Sequence, residues 1–180
     1  MEIINGERLV LGTCYYPEHW DESLWRDDLR RMLENGIEVI RIAEFAWSKI
    51  ERYEGVFNYD FFDRFLDVAA DMGMKVIFCT PTATPPAWLT EKYPEVLNAN
   101  MDGVLYRHGG RRHYNYNSPK YQELTRIIVE KSASHYAKHP AIIGWQIDNE
   151  LNCEKNEFYS ESDTIAFRKF LMENTEVLMH

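Results

Sequence analysis

The sequence predicts an α/β fold built on a parallel sheet. Two observations carry this. Short apolar runs of strand length alternate with longer amphipathic stretches of helical period. No glycine-rich turn joins a strand to a helix, so the doubly wound nucleotide-binding form of this class lacks its signature. The one glycine pair, Gly109-Gly110, falls inside a long connection.

The elements follow in order. Residues 9–16, with Leu9, Val10 and Leu11, read as a first strand. Residues 23–35 read as a helix, with Leu24, Trp25, Leu29, Met32 and Leu33 on one face and charges opposite. Asn35-Gly36 supplies its C-terminal stop. Residues 37–43 form the second strand, carrying Val39, Ile40 and Ile42. Residues 59–72 form a helix with Phe62, Phe65, Leu66, Val68 and Ala69, stopped by Gly73. Residues 74–79 are the third strand. The connection 80–119 is long and rich in proline, a length usually reserved for function. Ser118-Pro119 then opens a helix with an N-cap and a proline in the first turn. It runs to about residue 138. Residues 141–147 are the fourth strand, and a last helix starts near Ser162-Asp163 with Ile165, Phe167, Phe170 and Leu171.

This alternation favours a (β/α)8 TIM barrel. A complete barrel takes about 250 residues, whereas this chain has 180. The expectation is one domain over residues 1–180 that holds only the first four βα units and is truncated.

Composition narrows the function. A net charge of −9 disfavours nucleic acid and anionic membrane as partners. With 45% hydrophobic and 27% charged residues, a packed core is expected rather than disorder. Cys14, Cys79 and Cys153 are widely spaced, which argues for reduced, buried thiols rather than a disulfide frame or a zinc knuckle. Residues 1–7 show no basic and apolar leader, and no window nears the roughly 18 apolar residues of a membrane span. The expected location is cytoplasmic.

In a barrel, chemistry sits at the carboxyl ends of the strands. The four ends here are Tyr15-Tyr16-Pro17-Glu18-His19-Trp20, Arg41-Ile42-Ala43-Glu44-Phe45-Ala46-Trp47-Ser48, Thr80 to Trp88, and Asp148-Asn149-Glu150. The first three couple polar groups with an aromatic ring. A carboxyl just past a buried strand, preceded by asparagine, suits glycoside hydrolysis. Glu150 is the candidate acid/base, a role that asks for a carboxyl whose pKa is raised by partial burial and a neighbouring carboxylate. Asn149 is placed to meet a sugar 2-hydroxyl. Capping of the next helix is the structural alternative for Glu150.

Taken together, the strand ends, with Thr84-Pro85-Pro86-Ala87-Trp88-Leu89, Arg111-Arg112-His113-Tyr114 and Trp145-Gln146-Ile147-Asp148-Asn149-Glu150, resemble glycoside hydrolase family 42, the β-galactosidases. The resemblance runs from about residue 8 to about residue 171. It implies that Glu150 is the general acid/base, that Asn149 binds the sugar, and that Arg111 reaches the galactose site from the long connection. It implies a galactoside substrate, a retaining mechanism, and a homo-oligomer, commonly a trimer. It also implies a nucleophilic glutamate on a later strand, beyond residue 180, so a complementary C-terminal half would be needed. No cofactor is implied. Some members bind zinc through cysteines. Here Asn115 follows the Arg-Arg-His-Tyr motif, and no metal site is expected. Two other readings stay open: a non-catalytic sugar-binding remnant, and a barrel glycosidase acting on another β-glycoside.

Further residues carry weaker signals. Glu44 is a candidate sugar contact, with an ion pair to Arg41 as the structural alternative. Trp47 and Trp88 are candidate stacking platforms or loop packing. His19 is a candidate hydroxyl contact or a cap. His135 and His139 share a zinc-compatible spacing on a surface helix without a third ligand. Glu18, Asp148 and Glu154 are acids near the strand ends with no assigned role.

Overall fold

The computed structural model describes residues 9–110, 113–151 and 157–174. In chain order the elements are β1 (Leu11–Cys14), α1 (Trp25–Glu34), β2 (Ile37–Ile42), α2 (Trp47–Ile50), β3 (Glu51–Tyr53), β4 (Val56–Phe57), α3 (Asp60–Asp71), β5 (Lys75–Cys79), α4 (Ala87–Lys92), α5 (Pro119–Tyr136), β6 (Ile142–Gln146) and α6 (Glu161–Asn174). The chain forms two compact units. One is Met1–Thr84 with Val129–Asn149, and the other is Pro85–Ile128 with Glu150–His180.

The first unit holds a four-stranded sheet in the order β1-β2-β5-β6. Every pairing in it is parallel. A helix stands in the sequence between each strand and the next, as a parallel sheet requires. The inner strands β2 and β5 bury Ile40, Ile42, Val76 and Phe78 completely. β1 is exposed along its whole length. Among the described residues it pairs on one side only, so its outer N–H and C=O groups form an open edge there. Gly12 permits its close approach to β2. A Cβ there would meet the Val39 carbonyl oxygen at 3.0 Å.

Helix α3 turns Phe62, Phe65, Leu66 and Ala69 into the core, the i, i+3, i+4, i+7 pattern of an amphipathic helix. Tyr15 stacks on Phe65 with ring centroids 5.7 Å apart, and Trp25 meets the same ring edge-on at 5.1 Å. Helix α1 starts later than the sequence suggested. Residues Glu22–Leu24 form a 3-10 turn first, because the Asp21 side chain accepts the Ser23 amide there. Leu24 is consequently exposed, while Trp25 and Leu29 carry the buried face. The C-terminal stop sits at Asn35-Gly36, with Gly36 at φ 79°. The hairpin of β3 and β4 has no counterpart in the sequence reading. Its strands are only three and two residues long, too short to show period-two alternation.

The described part of the long connection that lies in the second unit carries elements of its own. It contains α4, a 3-10 turn at Pro94–Val96, and bridges pairing Leu97 with Tyr114 and Ala99 with Leu105. Leu89, Val96 and Tyr114 are its core, and Tyr114 stacks on Tyr121 of α5 at 4.9 Å. Its apolar residues come in runs of two or three between prolines, asparagines and charges, too short to show a period. In α6, Ile165, Phe167, Phe170 and Met172 remain exposed, contrary to an ordinary core-facing helix.

Candidate active site

The carboxyl ends of β1, β2 and β6 converge on one hydrogen-bonded cluster in the first unit. Arg41, next to last in β2, is its hub. Its Nη2 lies 2.5 Å from Glu44 Oε2 and donates to the Cys14 sulfur at 3.0 Å. Its Nη1 donates to Gln146 Oε1 on β6 at 2.7 Å. Tyr16, past the end of β1, donates its hydroxyl to Glu44 Oε1 at 2.7 Å. Its ring lies between those of His19 and Phe45. Burial, then the Glu44 hydrogen bond, pushes the Tyr16 hydroxyl up to about 12. Glu44 is buried. The ion-pair alternative for Glu44 is therefore what the structure displays.

Gln146 continues the cluster into the turn after β6. Its Nε2 donates to the Asp148 carbonyl at 2.8 Å and to Asn149 Oδ1 at 3.3 Å. The structure thus brings Asn149 and Glu44, two of the residues singled out from sequence, into one network through Arg41 and Gln146. Sequence reasoning gave Arg41 only its pairing with Glu44, and it quoted Gln146 and Tyr16 within the strand-end motifs without a role of their own. Their polar side chains at otherwise apolar strand ends were the available signal.

Backbone geometry marks the same places. Among the described residues, three other than glycine have positive φ: Ala43 at 70°, Asp148 at 54° and Glu150 at 45°. One stands directly before Glu44, and the other two flank Asn149. Left-handed residues other than glycine cost of order 1–3 kcal/mol each and gather at functional sites.

The remaining candidates divide. Glu150 is exposed, so the partial burial expected of it is not present here. Trp47 is corrected. It is fully buried, with its indole N–H donated to Glu51 Oε2 at 2.7 Å, and it offers no face to a sugar. Its place at the start of α2, under the hairpin, makes it core. Trp88 is half-buried and His19 is exposed. Arg111 lies outside the described residues, as does Glu154. The nearby Arg107 and His108 are exposed. Glu18 Oε2 is buried without a hydrogen-bond partner among the described residues, and burial raises its carboxyl pKa. His135 and His139 each face their own aspartate on α3, Asp63 at 2.8 Å and Asp67 at 3.7 Å, instead of converging on one point.

The thiols differ from expectation. Cys79 is buried, but Cys14 is exposed on the open strand, and Cys153 lies outside the described residues. Among the described residues no group of three or more His, Cys, Asp or Glu could hold a metal ion. No helix among them is long and apolar enough to cross a membrane. Asn115 is buried in the second unit. Its Nδ2 contacts Asp163 Oδ2 at 2.6 Å, Ser162 Oγ at 2.9 Å and Ser160 Oγ.

A parallel sheet whose carboxyl ends gather carboxylates, an arginine, amides and a tyrosine around strained turns is the arrangement of an active site in an α/β enzyme. The glycoside hydrolase family 42 profile, described as β-galactosidase, matches residues 14–179, and the chain belongs to that family. A β-galactosidase of Thermus thermophilus is 46% identical over 163 residues, which is 90% of this chain and 25% of that protein. One from Halorubrum lacusprofundi is 41% identical over 162 residues, 89% of this chain and 23% of that protein. The crystal structure of β-galactosidase from the psychrophilic Marinomonas ef1 superposes with a TM-score of 0.88 at 43% identity, covering 92% of this chain and 25% of that one. The β-galactosidase of Bacillus circulans sp. alkalophilus gives 0.87 at 30% identity, covering 93% and 24%. The chain thus spans about a quarter of the length of these relatives.

Proposed function

We propose that this chain is the first part of a (β/α)8 barrel that hydrolyses terminal β-D-galactosides, and that Glu150 is its general acid/base. The observation that carries the reading is the turn after β6, where an Asn-Glu pair follows a strand of the parallel sheet and Asn149 joins the Arg41–Glu44 cluster. In this reading Asn149 and Glu44 bind sugar hydroxyls, and Arg111 approaches from the connection after β5. Arg41 holds Glu44 in orientation, so that both partners present polar atoms to one ligand. Glu150 protonates the glycosidic oxygen and then activates water. A retaining mechanism needs a second carboxyl about 5 Å from the first. The proposal takes it from a later strand of a full-length protein.

The open edge of β1 and the exposed apolar residues of α6 support the same proposal, since both are surfaces that further barrel units would cover. The 180-residue chain alone is expected to self-associate or to require a complementary half. A monodisperse monomer with a sharp thermal transition counts against this.

The test is aryl β-galactoside hydrolysis by the chain coexpressed with the remaining part of the Thermus thermophilus relative. Turnover with retained anomeric configuration is expected, and Glu150→Gln should lower kcat about 10²–10⁴-fold. Turnover indifferent to Glu150→Gln would remove the assignment. Faster turnover of another β-glycoside would change the substrate class.

A further inference from the structure

We infer that Asp148 is the positioning residue of the turn that carries Asn149 and Glu150, acting through a four-point clamp and not as an acid. The inference deepens the proposed site and rests on that reading for its link to turnover.

Every polar atom of Asp148 is engaged. Its backbone N–H donates to Thr80 Oγ1 at 2.7 Å. Its carbonyl accepts from Gln146 Nε2 at 2.8 Å. Its Oδ2 accepts from Thr82 Oγ1 at 2.9 Å. Its Oδ1 accepts the amide of Asn149 at 2.6 Å. The residue is 6% exposed. Its two carboxyl oxygens are taken up by Thr82 and by the Asn149 amide, which makes it a holding group of the turn and not a reacting acid.

The clamp answers a conformational problem. Asp148 sits at φ 54°, and Glu150, two residues on, at φ 45°. Such conformations persist only where the surroundings over-determine them. Aspartate tolerates the left-handed region better than most residues because its short side chain bonds the local backbone. Here that bond is Oδ1 to the Asn149 amide. The two threonines come from the segment just after β5, and the Thr80 amide itself donates to the Gln146 carbonyl at 2.9 Å. The end of β5 therefore fixes the direction in which the chain leaves β6. Gln146, held by Arg41, fixes the same turn from the other side.

The experiment has two readouts. The first is amide hydrogen exchange in the coexpressed enzyme without substrate, which needs no turnover. Asp148→Ala is expected to cut the protection of the Asn149 amide roughly tenfold relative to that of the β5 amides. Asp148→Asn keeps an acceptor at Oδ1 and should retain most of it, and Glu150→Gln should leave it unchanged. Thr82→Val, which removes one donor at constant shape, should give a partial loss if Asp148→Ala fails to fold. The second readout is aryl galactoside kinetics in the coexpressed enzyme. Asp148→Ala should lower kcat with KM within about twofold, with rescue by Asp148→Asn, as expected when transition-state alignment is lost. Unchanged Asn149 protection in Asp148→Ala, or an equal loss across β5 and β6, overturns the inference. Exchange is read without hydrolysis, so failure of the Glu150 assignment would leave the clamp standing or falling on its own.

Discussion

Arg41 and Gln146, 105 residues apart in sequence, are joined by a 2.7 Å hydrogen bond that reaches past the intervening strand β5. The bond places Gln146 between an arginine–glutamate pair and the turn that leaves β6. Replacing Gln146 by leucine removes the acceptor for Arg41 Nη1 and both donors to the turn. We expect a loss of about 1–3 kcal/mol, measured by urea unfolding. An unchanged urea midpoint would show that these bonds contribute nothing.

Tyr16 gives the cluster an alkaline signature. Its hydroxyl, ordinarily at 10.0, is pushed up to about 12, mainly by burial and then by Glu44. The folded state therefore keeps a proton that the unfolded chain has released. The resulting stability is full below pH 10.0 and is lost as pH rises towards 12. Tyr16→Phe should flatten the loss in that window relative to the unmodified chain, as followed by unfolding across the alkaline range. Identical slopes in the two proteins would contradict the contact.

Trp47 should behave as a core residue with a polar duty. Its indole N–H and the Gly55 amide each bond one oxygen of Glu51, a buried carboxylate whose pKa is raised by that burial. The two hydrogen bonds oppose the shift. Trp47→Phe removes one, so the Glu51 pKa should rise further. A raised carboxyl contributes stability below its unfolded pKa and loses it as pH rises through the folded value. Trp47→Phe should therefore cost more near neutral pH, about 1–3 kcal/mol, than in acid below the carboxylate range. Urea midpoints at the two pH values decide this. Trp47→Ala adds a cavity and should cost about 3–5 kcal/mol.

Asn115 provides the equivalent test in the second unit. It bonds Asp163, which also accepts from Asn117 Nδ2 at 2.7 Å and the Ser160 amide at 3.0 Å. Asn115→Asp sets a second carboxylate against the first in a buried place, where like charges cannot both ionise cheaply. Thermal stability at neutral pH should fall more than for Asn115→Ala and should partly recover in acid. A fall independent of pH would mean that the amide fills space and nothing more.

Several of these features were legible from the sequence alone. The helical period around Phe62, Phe65, Leu66 and Ala69 announced the buried face of α3, and the apolar runs announced the four parallel strands. These signals are local, so a linear pattern records them. The motifs at the strand ends pointed to the family, now supported along residues 14–179. The tertiary structure alone decided the rest. The ring of Trp47 could stack or pack, and only its complete burial in the folded chain, with the indole N–H on Glu51, decided the choice. Glu44 could meet a sugar or an arginine, and the folded chain shows the ion pair to Arg41, with Tyr16 of the segment after β1 donating to the other carboxylate oxygen. Asp148 carried no role in one dimension because its partners, Thr80 and Thr82, lie 68 and 66 residues away. Parallel strands put such residues side by side at one end of a sheet, and that register is set by packing of the whole core rather than by any local run of residues.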